Sequence, residues 1–119
     1  MILIAGPYAS GTGGDEALMR RNLERLQEAA WPIFQAGHVP MIGEWVALPM
    51  LQSAGASGPN DALARQVMHP TAERLLQRCD AVLRLPGESR GADQDVAIAR
   101  SLGLPVWFEV AEVPIADES

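Results

Sequence analysis

The chain has 119 residues, 48% of them hydrophobic and 20% charged, which suits one domain with a single core and excludes a disordered chain. All nine cations are Arg, so a Schiff-base lysine, a Walker A lysine and a receiver-type lysine switch are excluded. A formal charge of −6 with no basic run argues against a nucleic-acid polymer as partner, while one small phosphate remains within reach of a few backbone amides.

No apolar run approaches the length of a membrane span. The opening residues, Met1-Ile2-Leu3-Ile4-Ala5-Gly6-Pro7, carry no basic leader and read as a first strand, not a signal peptide. Cytoplasmic residence and no membrane partner are therefore expected, and the single Cys79 agrees, since it cannot form a disulfide within the chain.

In chain order, residues 1–5 form a fully apolar strand of the kind found inside parallel sheets. A glycine-rich loop follows over 6–14, and Asp15 caps a long helix with an apolar stripe at Met19, Leu23, Leu26, Ala30 and Ile33. Pro32 is expected to kink or locally break that helix, and Gly37 to stop it. A second strand is expected around 38–41, then one or two helical turns within 42–51, and a small, glycine-rich loop over 52–59. Asn60 is expected to cap a helical run through Leu63, Val67, Leu75 and Leu76, which Pro70 divides into two pieces. Residues 80–85 read as the third strand, 91–102 as the next helix with Gly103 as its stop, and 105–110 as a fourth strand. The acidic tail, 111–119, is expected to be flexible or to contribute to an interface. This order predicts a three-layer α/β domain with a four- or five-stranded parallel sheet joined by right-handed crossovers.

Ligands of such sheets bind outside the carboxyl ends of the strands, which directs attention to two turns. The first is Gly6-Pro7-Tyr8-Ala9-Ser10-Gly11-Thr12-Gly13-Gly14, between a strand and a helix N-terminus. Its glycines do not fit GxGxxG, so no dinucleotide cofactor is expected; the loop is either a flexible connection or a cradle to which the Tyr8 phenol donates. The second is Ser89-Arg90-Gly91-Ala92-Asp93-Gln94-Asp95. Asp93 and Asp95 stand in the first turn of a helix, where a carboxylate either offsets the dipole or is held ionised as a nucleophile. Ser89 either caps that helix or binds substrate. Asp80, at the start of its strand, belongs to the opposite end of the sheet and reads as structural. His38, His69 and Cys79 lack metal-ligand spacing, so no metal is expected. Among the tryptophans, Trp31 and Trp107 read as core or interface, and Trp45 is the best stacking candidate.

These residues form a pattern. Ile2-Leu3-Ile4-Ala5-Gly6-Pro7-Tyr8, Gly37-His38-Val39-Pro40, Cys79-Asp80-Ala81-Val82-Leu83, Ser89-x-Gly91-Ala92 with an acid at 95, and Gly103-Leu104-Pro105-Val106 occur in order. Together they resemble the nucleoside 2-deoxyribosyltransferase-like superfamily, in its small bacterial and phage branch. The resemblance runs from residue 2 to about 107, and nothing in 41–70 contributes to it. It implies a flavodoxin-like fold, homo-oligomeric assembly, no cofactor, and transfer or hydrolysis at the N-glycosidic bond of a nucleoside or nucleotide. Under it, Asp95 is the nucleophile, Tyr8 assists it or the sugar, and Gly6, Pro7, Ser89 and Gly91 line the sugar or phosphate pocket. Two departures accompany it: the family nucleophile is normally Glu, and an acid that contacts the sugar would fall near Ala72. The alternative is a non-catalytic nucleotide-binding or sensing module on the same fold.

Overall fold

A computed structural model describes residues 1–116; residues 117–119 lie outside the described part. Four parallel strands, β1 (Ile2–Ala5), β2 (Pro40–Met41), β3 (Ala81–Arg84) and β4 (Val106–Trp107), form a sheet in the order β2-β1-β3-β4. Four helices accompany them: α1 (Glu16–Gln35), α2 (Gly43–Ser53), α3 (Ala62–Leu76) and α4 (Arg90–Ser101). The result is a three-layer, flavodoxin-like α/β domain.

The two central strands are buried at every position, apolar throughout except for Arg84 at the end of β3. Successive side chains alternate between the sheet faces. Ile2, Ile4, Ala81 and Leu83 enter one core cluster with Leu26, Ala29 and Ile33 of α1. Leu3, Ala5 and Val82 enter the other, with Leu76 of α3 and Ala92 and Ala99 of α4.

The first face is completed by the tail. A 3₁₀ turn (Val110–Glu112) brings Val110 and Val113 against the α1 cluster, and the Ala116 amide donates to the Ala36 carbonyl at 2.7 Å. Of the tail expected to be flexible or interface-forming, residues 111–116 thus fold back onto their own chain, and 117–119 lie outside the described residues.

Local chemistry sets the boundaries. Asp15 caps α1 as expected, accepting from the amides of Ala17 and Leu18, and Gly37 ends it at a φ of 94° that favours glycine. The cap of α3 is Asp61, not Asn60: its carboxylate accepts from the Leu63 amide, while the Asn60 side chain donates to the Gly14 carbonyl. Nor does Pro70 divide α3, which runs unbroken through it, as α1 does through Pro32. A proline costs one backbone hydrogen bond; packing of α3 between α2 and α4 offsets that loss. The outer strands are shorter than their apolar runs suggest, because β2 and β4 each have a single neighbour to pair with. No helix among the described residues is long and apolar enough to cross a membrane.

Candidate functional site

The strand order places a switch point at the carboxyl ends of β1 and β3. The chain leaves β1 for α1 on one face and leaves β3 for α4 on the other, opening a crevice between them. A cavity of about 250 Å³ lies there. Its floor is Leu3, Ile4, Ala5 and Gly6; Tyr8, Ala9 and Ser10 come from the first loop, and Ser89, Gly91, Ala92, Gln94 and Asp95 from the start of α4. Gly43 and Glu44 of α2, Pro59, and Met68, His69 and Ala72 of α3 close the remaining walls. A second groove, of about 440 Å³, adjoins it through Tyr8 and Pro59 and is lined by Arg20, Leu23, Leu48 and Leu51 among others.

The first loop is held in place. The Thr12 hydroxyl donates to the Ala9 carbonyl at 2.6 Å, Asn22 Nδ2 donates to the Tyr8 carbonyl at 2.7 Å, and Asn60 ties down Gly14. Gly6 is required for packing: a Cβ there would lie 2.8 Å from Leu26 Cδ2 and 3.3 Å from Leu85 Cβ. Pro7 stands off the cavity lining and against Gly87, whose φ is 118° and whose Cβ would meet the proline ring at 2.7 Å. The turns after β1 and β3 are therefore interlocked behind the cavity.

Ser89 caps α4, its hydroxyl oxygen accepting from the Ala92 amide at 3.1 Å, and it also lines the cavity. Arg84, buried at the end of β3, donates to the carbonyls of Leu85 and Ser89 and pairs with Asp93 at 2.9 Å. Asp93 thus serves the turn, not the cavity. Asp95, one half-turn on, faces the cavity, and its Oδ1 is buried without a hydrogen-bond partner. Asp80 sits at the opposite end of the sheet, 2.6 Å from the Met1 amine.

Electrostatics distinguish the cavity's acids. Burial pushes Asp95 up to about 6, against the pull of His69 and Arg84 and with a small push from Glu73. Glu44 is pushed up to about 7, first by burial and then by the Asp95 charge, its own backbone amide opposing. Burial also raises the Tyr8 phenol, helped by Glu44 and Glu16, so it remains a hydrogen-bond donor at neutral pH. His69 Nε2 lies 2.8 Å from Glu73 Oε1, which takes Glu73 away from the cavity.

Of the residues singled out from the sequence, Gly6, Tyr8, Ser89, Gly91 and Asp95 meet at one cavity, and Pro7 does not line it. Glu44 and His69 were missed as site residues. The signal for Glu44 was available: it follows the carboxyl end of β2 by three residues, the same location that made Tyr8 and Asp95 candidates. Ala72, where the resemblance would put a carboxylate, does line the cavity, so that wall carries a methyl group.

Fold and site together define a parallel α/β protein with a small cavity at its switch point, lined by the carboxyl-bearing residues Glu44 and Asp95. No protein-family model, curated protein or solved structure matches the chain.

Proposed function

We propose that this protein breaks the N-glycosidic bond of a nucleoside or nucleotide, with Asp95 attacking the anomeric carbon and the glycosyl group passing on to water or to a second base. The observation that carries the reading is Asp95 itself, a carboxylic acid that lines a cavity at the carboxyl ends of β1 and β3 and whose Oδ1 is buried without a hydrogen-bond partner. A buried carboxylate oxygen without a donor is costly; an electrophilic carbon is a natural partner for it, through the covalent chemistry of retaining glycosidases. The Tyr8 phenol and the Ser89–Ala92 turn supply polar groups for the sugar hydroxyls, and the cavity volume suits a single sugar with part of a base.

Free base released from common nucleosides and their 5′-monophosphates, measured by chromatography, is the expected activity. Asp95→Asn abolishes it, and denatured wild-type protein quenched during turnover carries a glycosyl mass on the peptide containing Asp95. Absence of base release from every substrate, with no adduct, overturns the proposal. The second reading, a nucleotide-binding module without turnover, draws on Ala72 replacing the expected acid and on the shorter reach of Asp at 95. Thermal stabilisation by a nucleotide without base release assigns the protein to that reading.

A further inference from the structure

Resting on that reading of the cavity, we infer that Glu44 is the general acid that protonates the departing base. Glu44 lies in the first turn of α2, directly after β2, and Asp95 in α4, after β3. The order β2-β1-β3 puts these two carriers on either side of β1, whose last residues floor the cavity. At the strand spacing of a sheet, their backbones start about 10 Å apart. Both side chains line the same cavity, and the charge of one is felt by the other. Two carboxyl groups flanking a small cavity from opposite walls is the arrangement that glycosidic cleavage requires, one attacking and one donating a proton.

The other candidates for the acid fall away. The Tyr8 phenol, raised by burial and by Glu44, holds its proton too tightly to give it up near neutral pH. His69 commits Nε2 to Glu73 Oε1 at 2.8 Å and its side chain is 41% exposed, which leaves only Nδ1 for a ligand. Arg84 is committed to Leu85, Ser89 and Asp93. Burial raises both carboxyls, Glu44 to about 7 and Asp95 to about 6, so the cavity near neutral pH can hold one proton-bearing and one ionised acid.

The step balances. An Asp95 carboxylate oxygen forms a bond to the anomeric carbon, and the C–N bond breaks with its electron pair going to the base nitrogen. The Glu44 O–H proton moves to the base, leaving Glu44 as carboxylate. In the second half, water or an incoming base attacks the same carbon, the Asp95 ester bond breaks, and the nucleophile's proton returns to Glu44.

Substrates whose base departs neutral without a proton separate this role from that of Asp95. Wild type, Glu44→Gln, Glu44→Asp and Asp95→Asn are compared on common nucleosides and nucleotides and on N7-methylguanosine and nicotinamide riboside. With Glu44→Gln, kcat on the common substrates is expected to fall about 10²–10⁴-fold. On the cationic-base substrates it falls less than about tenfold, the Asp95 adduct still forms, and the alkaline limb of the kcat/KM profile disappears. Glu44→Asp restores part of the loss. Asp95→Asn loses activity on both sets. A wild type active on both sets whose Glu44→Gln variant loses neither, or loses both equally, overturns the acid role alone. A wild type inactive on both overturns the reading of the cavity and the acid role with it.

Discussion

At the residue scale, Glu44 and Asp95 are groups the fold makes reluctant to ionise, and this links the site to stability. A carboxyl whose pKa is higher folded than unfolded holds its proton more tightly in the native state. Its contribution is intact below the unfolded value and is lost as pH rises through the folded one. For Glu44 that window runs from its ordinary 4.5 to about 7, and for Asp95 from 3.8 to about 6. Glu44→Gln removes the ionisation, so the variant matches wild type at pH 4 and is more stable at pH 8, by on the order of 1–3 kcal/mol. Urea denaturation at the two pH values measures this; equal stabilities at pH 8 would show that the carboxyl ionises without strain. The Asp95 charge adds a smaller push to Glu44 beyond burial, so ionisation of Asp95 raises Glu44 further.

At the element scale, α4 shows how one helix start both fixes the turn and lines the cavity. Ser89 caps it, Asp93 answers Arg84, and Asp95 remains for the cavity. Gly91 belongs to neither framework: a Cβ there would meet nothing within 4 Å, and the residue lines the cavity. Gly91→Ala is therefore expected to stabilise the protein by up to about 0.5 kcal/mol, below the gain of alanine over glycine in a helix interior because residue 91 stands in the first turn. The same methyl group intrudes on the ligand and should weaken kcat/KM, or ligand affinity, about tenfold or more. A Tm that rises while activity is unchanged would place the ligand away from this helix.

The caps and central strands of these elements were legible in the sequence because each depends on near neighbours. Asp15, Ser89 and Gly37 act within their own turns, and β1 and β3 announce themselves as short apolar runs, interrupted only by Arg84 at the end of β3. Pro70 misled for the opposite reason: whether a proline interrupts a helix depends on what packs around it, and α2 and α4 are distant in sequence. Asn60 misled because its side chain finds the Gly14 carbonyl, a partner that local spacing does not reveal.

At the scale of the whole molecule, the cavity is a product of strand order. Asp95 and Tyr8 were legible because they stand beside recognisable turns. Glu44 stands in a stretch without a motif; its place just after β2 is the one local signal, and the pairing of β1 with both β2 and β3 is what puts it in the same cavity as Asp95. The same order has a consequence for how the protein divides. Cleaving the chain in the loop between α2 and α3, at Gly55, leaves one fragment with β1, β2, Tyr8 and Glu44 and another with β3, β4 and Asp95. Each fragment keeps one carboxyl and half of the crevice, and each exposes a buried, four-residue strand edge that the other covers. Neither is expected to release base or bind ligand alone. Mixing them is expected to restore both in proportion to complex formed, which titration of one fragment with the other reads directly. Activity in a single fragment would mean that one half of the crevice suffices. The two fragments would meet along one seam that runs between β1 and β3 in the sheet and between α2 and α3 above it, so rejoining them rebuilds the cavity from both layers at once.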